Sequence, residues 1–176
     1  EIKQLKKALT GYIHENLILV ALGTGMRQGE LLGLQWKHID FDNLTITISQ
    51  TLKTYSDIKA NGTRNLVTAL QTPKSKHSIR TIPIPENLAI ILKNQQKIII
   101  DRAKTLGRSF NDDLFVFSNN QLSYIDARAL LRSYKRMLNR NNIRGTDCHS
   151  LRHTYATQLI RRGVSIEVIA ELLGHS

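Results

Sequence analysis

The chain has 176 residues, 41% of them hydrophobic, which is enough to bury one core of ordinary size. Its 25 Lys and Arg residues outnumber 14 Asp and Glu residues, and the net charge of +11 favours a polyanionic partner, above all nucleic acid. One cysteine excludes a disulfide framework, and the apolar runs are too short to span a membrane. We expect a single domain, residues 1–176, in a reducing cytoplasm.

Three helices are predicted at the start of the chain. Residues 1–10 have a short amphipathic pattern, and residues 14–24 are apolar nearly all round, as in a helix buried at a domain centre. A third helix begins near Met26, which places Arg27 in its first turn and Glu30 one turn later. Because helix N-termini favour anions, Arg27 adds to a potential anion site.

The pattern then changes to that of β-strands. Residues 44–49 alternate apolar and polar side chains, which indicates a half-buried strand, and residues 53–65 predict a polar loop. Residues 67–72 and 78–84 predict two further strands, joined as a β-hairpin by a short connection that contains proline. The tip of this hairpin would carry two lysines, Lys74 and Lys76.

Four more helices are predicted towards the C-terminus, over residues 86–102, 123–141, 149–162 and 166–173. The sequence therefore predicts an α+β fold that is mainly α-helical, with helices packed around a core and a small three-stranded antiparallel sheet on one side. The chain opens inside one helical pattern and stops just after another. We therefore expect it to be part of a longer protein.

The helix over residues 123–141 is the most basic of these. Four arginines recur at four-residue intervals with a lysine beside them: Arg128, Arg132, Arg136, Arg140 and Lys135. Exposed like charges at this spacing repel each other by about 0.2–0.5 kcal/mol per pair, so DNA phosphates opposite the row would stabilise it. A solvated basic face with ion pairs to other elements remains the alternative.

Five residues have the chemistry needed to cleave a phosphodiester without a metal. Two arginines can neutralise charge on the non-bridging oxygens, while lysine and histidine can move protons at the leaving and attacking oxygens. The candidates are Arg27, Lys74, His149, Arg152 and His175. His149 and Arg152 are three residues apart at the start of one helix, so we expect both to project from one face.

Four segments, in a fixed order, resemble the catalytic domain of the tyrosine recombinases. They are TGMRQGELLGL at residues 24–34, TPKSKHSIRTIP at residues 72–83, HSLRHT at residues 149–154 and LLGHS at residues 172–176. The resemblance covers essentially the whole chain, and it is closest to the integrases of phages and conjugative transposons. It implies the catalytic-domain fold of that family.

The resemblance also implies a role for the basic residues. Arg27 and Arg152 would clamp the non-bridging oxygens of the scissile phosphate, and Lys74 would be the general acid toward the leaving 5′ oxygen. Lys76 is a candidate DNA contact and the alternative general acid, although the Thr–Pro–Lys context favours Lys74.

Three further residues match the family's pattern. His149 would handle the proton of the nucleophile, and His175 would hydrogen-bond the phosphate. Glu30 matches the acidic residue one turn after the first arginine, where it would orient a neighbouring cation or histidine.

The implied activity is site-specific recombination and integration of DNA through a 3′-phosphotyrosyl intermediate. It needs neither ATP nor a metal, so the resemblance implies no cofactor. The implied partner is double-stranded DNA at attachment or transposon-end sites, bound by a tetramer of the full-length protein in the bacterial cytoplasm. The upstream DNA-binding domains of the family are missing from this chain.

The nucleophile of the family is a tyrosine downstream of the Leu–Gly–His motif, and none of the five tyrosines here matches that position. Tyr155 follows Arg152 by three residues on an apolar helical face, where a core position is favoured. We therefore expect a fragment, truncated before its nucleophile, that binds DNA but cannot cleave it.

Two alternatives belong to other classes of protein. The basic helix alone would support a DNA-binding module without chemistry. A zinc protein could use His149 and His153, which are four residues apart on one predicted helix, with Cys148 and His175 completing a set of four ligands. Against zinc, Ser150 stands where metalloproteases place glutamate, and Arg152 would put a fixed charge beside the cation.

Overall fold

A computed structural model describes residues 2–59, 62–72, 79–144 and 148–174, without the Cys148 side chain. Its α-helices are α1 (Ile2–Leu9), α2 (Glu15–Thr24), α3 (Gln28–Leu32), α4 (Glu86–Thr105), α5 (Ala127–Arg140), α6 (Cys148–Arg161) and α7 (Ile166–Leu173). Its strands are β1 (Ile39–Asp40), β2 (Thr45–Ile48), β3 (Thr51–Ile58), β4 (Arg64–Gln71) and β5 (Arg80–Pro83). The mixed, mainly helical fold class is therefore confirmed.

Helix α2 runs through the centre of the core, as its nearly all-apolar sequence predicts. Leu17, Ile18 and Val20 are at most 3% exposed, and the helix packs against both α4 and α6. The same core continues through α1, α3, α4, α5 and α6 and through the sheet, where Ile46 and Ile82 are fully buried, and α7 packs against it with Leu172. Helix α2 thus fixes the positions of the elements around it.

Two helices begin at caps that the sequence supplies. The Asp126 carboxylate accepts a hydrogen bond from the Ala129 backbone N–H at 2.7 Å, so α5 begins four residues later than predicted. The Ser165 hydroxyl accepts a hydrogen bond from the Val168 N–H at 3.4 Å, and α7 spans the predicted residues 166–173. Within the described ranges, no helix combines the length and apolarity needed to cross a membrane.

The three-stranded antiparallel sheet has the order β1-β2-β5. Ile46 pairs with Ile82 and Ile48 pairs with Arg80, and all four side chains are buried. Because alternate residues of a strand point to opposite faces, Arg80 and Ile82 both face inward. Strand β5 therefore carries an arginine into the interior.

The polar loop predicted over residues 53–65 is wrong. Most of these residues belong to β3 and β4, which pair along their whole length from Thr51 with Gln71 to Ile58 with Arg64. Strand β3 is exposed on both faces over most of its length, so it lacks the alternation that would have identified a strand. Gly62, at φ +78°, lies in the turn between the strands.

The predicted hairpin between residues 67–72 and 78–84 is also wrong. Strand β4 pairs with β3, whereas β5 pairs with β2, because the inward isoleucines of β2 and β5 complete one buried face. The three-stranded sheet is therefore present with different members. Residues 73–78, with Lys74 and Lys76, lie outside the described residues.

Candidate active site

Three arginines from three different elements converge on the C-terminal end of α7. The last carbonyls of a helix have no partner within the helix and carry the negative end of its dipole. Here Arg80 Nε donates to the Leu172 carbonyl at 2.7 Å, Arg152 Nη2 to the Leu173 carbonyl at 2.5 Å, and Arg27 Nη2 to the Gly174 carbonyl at 3.0 Å. The end of α7 thus gathers three guanidinium groups into one place.

The Glu30 carboxylate lies between two of these arginines. Arg80 donates to both of its oxygens, with Nη1–Oε1 at 2.9 Å and Nη2–Oε2 at 2.8 Å. Arg27 Nη1 donates to Oε1 at 3.0 Å, and the Arg27 backbone N–H donates to Oε2 at 2.8 Å. Each oxygen of the Glu30 carboxylate therefore accepts hydrogen bonds from both arginines, and the carboxylate links Arg27 to Arg80.

This network holds Glu30 in its ionised form. Burial by itself would raise the pKa of the Glu30 carboxyl, but the hydrogen bonds and charge of Arg80, followed by the hydrogen bonds of Arg27, lower it below its ordinary value. One negative charge therefore faces three positive ones. The excess of positive charge suits the site to a further anion.

Arg152 is buried, with only 5% of its surface exposed. Its Nη1 donates to the Gly25 carbonyl at 2.8 Å, so the guanidinium bridges the end of α2 and the end of α7. Burial lowers the pKa of Arg152 to about 10; Arg27 and Arg80 add to this shift and Glu30 opposes it. The group stays protonated at neutral pH, and an anion beside it would relieve the repulsion.

Gly25 is required by the backbone geometry at this place. It has φ +64°, in the left-handed region, and an added Cβ would lie 2.5 Å from Tyr155 Cδ1 and 2.8 Å from Leu173 Cδ2. The turn that presents the Gly25 carbonyl to Arg152 therefore leaves no space for a side chain.

We expect Gly25→Ala to destabilise the protein more than Gly163→Ala. Gly163, at φ +79°, has nothing within 4 Å of its added Cβ, so that variant reports backbone strain alone, about 1–2 kcal/mol. At Gly25, overpacking against Tyr155 and Leu173 adds about 1–3 kcal/mol. Urea unfolding of both variants would measure the difference, and equal losses would contradict the packing argument.

Of the three guanidiniums, that of Arg27 reaches solvent. Its side chain is 44% exposed, against 5% for that of Arg80. An arginine has five N–H donors, and the contacts described above use one on each terminal nitrogen of Arg27. The remaining donors can bind an oxyanion that approaches from solvent.

The basic helix α5 begins beside this cluster. Gln28 Nε2, next to Arg27, donates to the Ala127 carbonyl in the first turn of α5 at 3.3 Å. The five predicted DNA contacts on the helix, Arg128, Arg132, Lys135, Arg136 and Arg140, are all exposed. Within the described part of the chain, none of them forms an ion pair, which argues against the alternative of a basic face with ion pairs to other elements.

Comparison with known proteins identifies the family. The family model described as "Phage integrase family" matches residues 1–176. The chain belongs to the phage integrase family. It is 42% identical to a "Tyrosine recombinase XerC-like" protein of Caldanaerobacter subterraneus subsp. tengcongensis, over all of the chain and 46% of that protein.

Two further relatives agree with this assignment. The "ICEBs1 integrase" of Bacillus subtilis is 31% identical over 89% of the chain and 40% of that protein. The structure of the Tn1549 transposon integrase in complex with transposon right end DNA has a TM-score of 0.77 and 25% identity, covering all of the chain and 57% of that structure. The chain thus spans about half the length of the relatives it matches, and the resemblance read from its four motifs is confirmed.

The histidines of this integrase-family chain are only partly described. His149 is exposed, one turn before the buried Arg152, and its ring packs edge-on against His153 with centroids 4.8 Å apart. Among the described side chains no group of three His, Cys, Asp or Glu residues could hold a metal ion. The Cys148 side chain and His175 lie outside the description, as do Lys74 and Lys76, so their roles stay predictions.

Tyr155 is a core residue, as predicted. It is 9% exposed and packs with Ile169 and Leu173, and burial raises the pKa of its hydroxyl. A buried phenol with a raised pKa is poorly suited to attack a phosphate.

Arg80 belongs to this site although its sequence context did not predict a role for it. One signal could have identified it: Arg80, Ile82 and Ile84 alternate with exposed residues, so an arginine occupies an inward position of a strand. A charged residue at such a position is almost never buried unless it is paired. The partner, Glu30, is 50 residues away in sequence and could not be identified from the pattern.

Proposed function

We propose that the full-length protein breaks and rejoins double-stranded DNA at specific sites, and that this chain is most of its catalytic domain. The observation that carries the proposal is the convergence of Arg27, Arg80 and Arg152 on one helix end, with the Glu30 carboxylate between the first two. Membership of the phage integrase family supports it, as does the integrase of Tn1549 solved with transposon right end DNA.

In the proposed reaction, a tyrosine hydroxyl attacks the scissile phosphorus and the 5′ oxygen leaves, which forms a 3′-phosphotyrosyl bond. Rejoining reverses this step with the 5′ hydroxyl of another strand, so the bond energy is conserved and no cofactor is consumed. The tyrosine would come from a part of the protein that this chain does not contain. Tyr134 and Tyr155 are buried in the core and cannot supply it.

The arginines would supply most of the stabilisation of the transition state. Charge builds on the two non-bridging oxygens as the nucleophile attacks, and donors fixed in advance lower the barrier because they need no reorganisation. Arg27 would bind one oxygen from the solvent side, and Arg152 would bind the other from its buried position. Removing one such donor from an enzyme typically costs about 10²–10³-fold in rate.

The remaining steps are proton transfers. Lys74, or Lys76 in its place, would protonate the leaving 5′ oxygen, and His149 would accept the proton of the nucleophile. His149 is exposed and one helical turn from Arg152, which is compatible with this role. His175 would hydrogen-bond the phosphate, and Glu30 would hold Arg27 in position.

Helix α5 would carry the DNA next to the active site. A hydrogen bond from Gln28 to the Ala127 carbonyl joins α3 to the first turn of α5, the helix that carries the five exposed cations. A duplex whose phosphate reaches Arg27 would therefore also pass along α5. Such contacts position the duplex without reading its sequence. Strand exchange between two duplexes needs paired cuts, so we infer that the full-length protein forms a tetramer on DNA. We also infer that it acts in the bacterial cytoplasm, where the cell's DNA lies.

We expect Arg132→Gln to weaken DNA binding by a similar factor for every duplex. Loss of one phosphate contact should reduce the slope of log affinity against log salt concentration by about 0.9. The control is Lys104→Gln on α4, where an exposed cation of the same charge is lost outside α5. Fluorescence anisotropy across a salt series would measure both slopes, and equal changes would show that only net charge matters.

The activity can be tested with the full-length protein and nicked duplexes tiled across the DNA that flanks its gene. A nick beside the scissile phosphate lets the cleaved fragment diffuse away, so the covalent intermediate accumulates. We expect one duplex to give a protein–DNA adduct that withstands detergent and is removed by protease. Binding to the duplexes without any adduct would instead favour a DNA-binding module with no chemistry.

A further inference from the structure

Arg80 has no role in the proposed reaction, yet it is among the most constrained side chains of the site. Its side chain is 5% exposed, and it donates to both oxygens of Glu30 and to the Leu172 carbonyl. Gly174, at φ +65°, packs directly on the guanidinium, since an added Cβ there would lie 2.9 Å from Arg80 Nη1. Hydrogen bonds and the close packing of Gly174 therefore both restrict the Arg80 side chain.

Its contacts connect the parts of the site that would have to move together. Glu30 shares its two oxygens between Arg80 and Arg27, so the direction of the carboxylate, which Arg80 sets, also sets that of Arg27. Through Leu172, Arg80 also holds the α7 end whose next two carbonyls accept from Arg152 and Arg27. A guanidinium is suited to this task because its planar donors match a carboxylate bidentately.

Arg80 is also the first residue of β5, which follows the segment with Lys74 and Lys76 directly in sequence. The strand is held in register by its pairing with β2, where Arg80 lies opposite Ile48. One buried side chain therefore joins the start of β5, the beginning of α3 next to Arg27 and the end of α7. Each nitrogen of its guanidinium donates within this network, Nε to the Leu172 carbonyl and both Nη atoms to Glu30, so the network and not a phosphate holds Arg80 in place.

We propose that Arg80 is a positioning residue, which orients the Arg27 guanidinium through the shared Glu30 carboxylate. This inference rests on the proposed function, since it concerns the efficiency of the same phosphate site. A buried ion pair can also be merely structural, in which case well-packed apolar residues replace it without loss. If Arg80 is a positioning residue, its substitution should slow cleavage mainly when the scissile phosphate is charged. If Arg80 is merely structural, the loss of cleavage rate should not depend on that charge.

The test uses the full-length protein and the duplex that forms the adduct, made with either a phosphodiester or a methylphosphonate at the scissile position. The methylphosphonate lacks the charge that the arginines neutralise. We expect Arg80→Met to slow adduct formation on the phosphodiester by about 10²-fold or more, with DNA affinity changed by less than about threefold. On the methylphosphonate the loss should fall below about tenfold, because a displaced Arg27 matters less there.

Two further variants keep the test decisive if Arg80→Met folds poorly. Arg80→Lys keeps the charge but cannot hold two oxygens and a carbonyl together, so it should be slowed about tenfold or more. The double variant Glu30→Met with Arg80→Met removes both charges and should fold while remaining slow. Arg102→Met is the matched control, since Arg102 also donates to backbone carbonyls, those of Ser118 and Asn119, away from the site.

Three results would overturn the inference. The first is a folded Arg80 variant or double variant that cleaves the phosphodiester within about threefold of the parent. The second is an equal loss on both substrates, which a general loss of structure would give. The third is a parent protein that forms no adduct, which would refute the proposed function and the inference with it.

Discussion

Arg152→Lys should abolish nearly all strand cleavage while leaving most DNA binding intact. Lysine is a point charge on a flexible stem and cannot donate at once to the Gly25 carbonyl, the Leu173 carbonyl and a phosphate oxygen. We expect adduct formation to fall by about 10²–10³-fold and DNA affinity by less than about tenfold, because the interaction counts chiefly in the transition state. Single-turnover kinetics and anisotropy on the same duplex would give the two numbers.

Arg161→Lys is the matched control for this prediction. It makes the same chemical change on the same helix α6, at an exposed position in its last turn. Its cleavage rate and affinity should stay close to those of the parent. If Arg152→Lys lost affinity and cleavage in equal proportion, Arg152 would be a ground-state DNA contact and the proposed clamp would be wrong.

Most of the fold was predictable because its helices carry their own signals. The all-apolar α2, the Ser165 cap and the periodic α4 each depend on residues within one segment. The ribbon of β3 and β4 was missed because it is exposed on both faces, so it has no buried side to impose a period of two. The partner of β5 was missed because pairing is a long-range choice.

The residues of the site also differ in whether the sequence could predict them. Arg27 and Arg152 were found because each lies in a short motif with a helix start beside it. Arg80 was missed because its role depends on Glu30, 50 residues away, and on the Leu172 carbonyl of α7, 92 residues away. Sequence patterns identify residues with chemistry of their own, whereas a residue that acts through others becomes visible only when the elements are assembled.

Loss of the Glu30 carboxylate should cost more stability than loss of a comparable surface carboxylate. Glu30→Gln removes the negative charge from between two guanidiniums, one of which, that of Arg80, is buried. Removing one partner of a buried pair costs about 3–5 kcal/mol. Asp113→Asn is the control, because it breaks the exposed ion pair with Lys37, and it should leave the free energy of unfolding nearly unchanged.

The effect of Glu30→Gln should also depend on pH, in a direction that the network fixes. The pKa of Glu30 in the folded protein lies below its ordinary value of 4.5, so the ionised carboxylate stabilises the fold at every pH above that value. This stabilisation is lost as the pH falls through the folded-state pKa, where the parent carries a neutral carboxyl like the glutamine of the variant. Urea unfolding at about pH 7 and about pH 3 should therefore give a large difference between parent and variant at the higher pH and a smaller one at the lower. A difference that did not change with pH would mean that shape, and not the charge held between Arg27 and Arg80, keeps Glu30 in place.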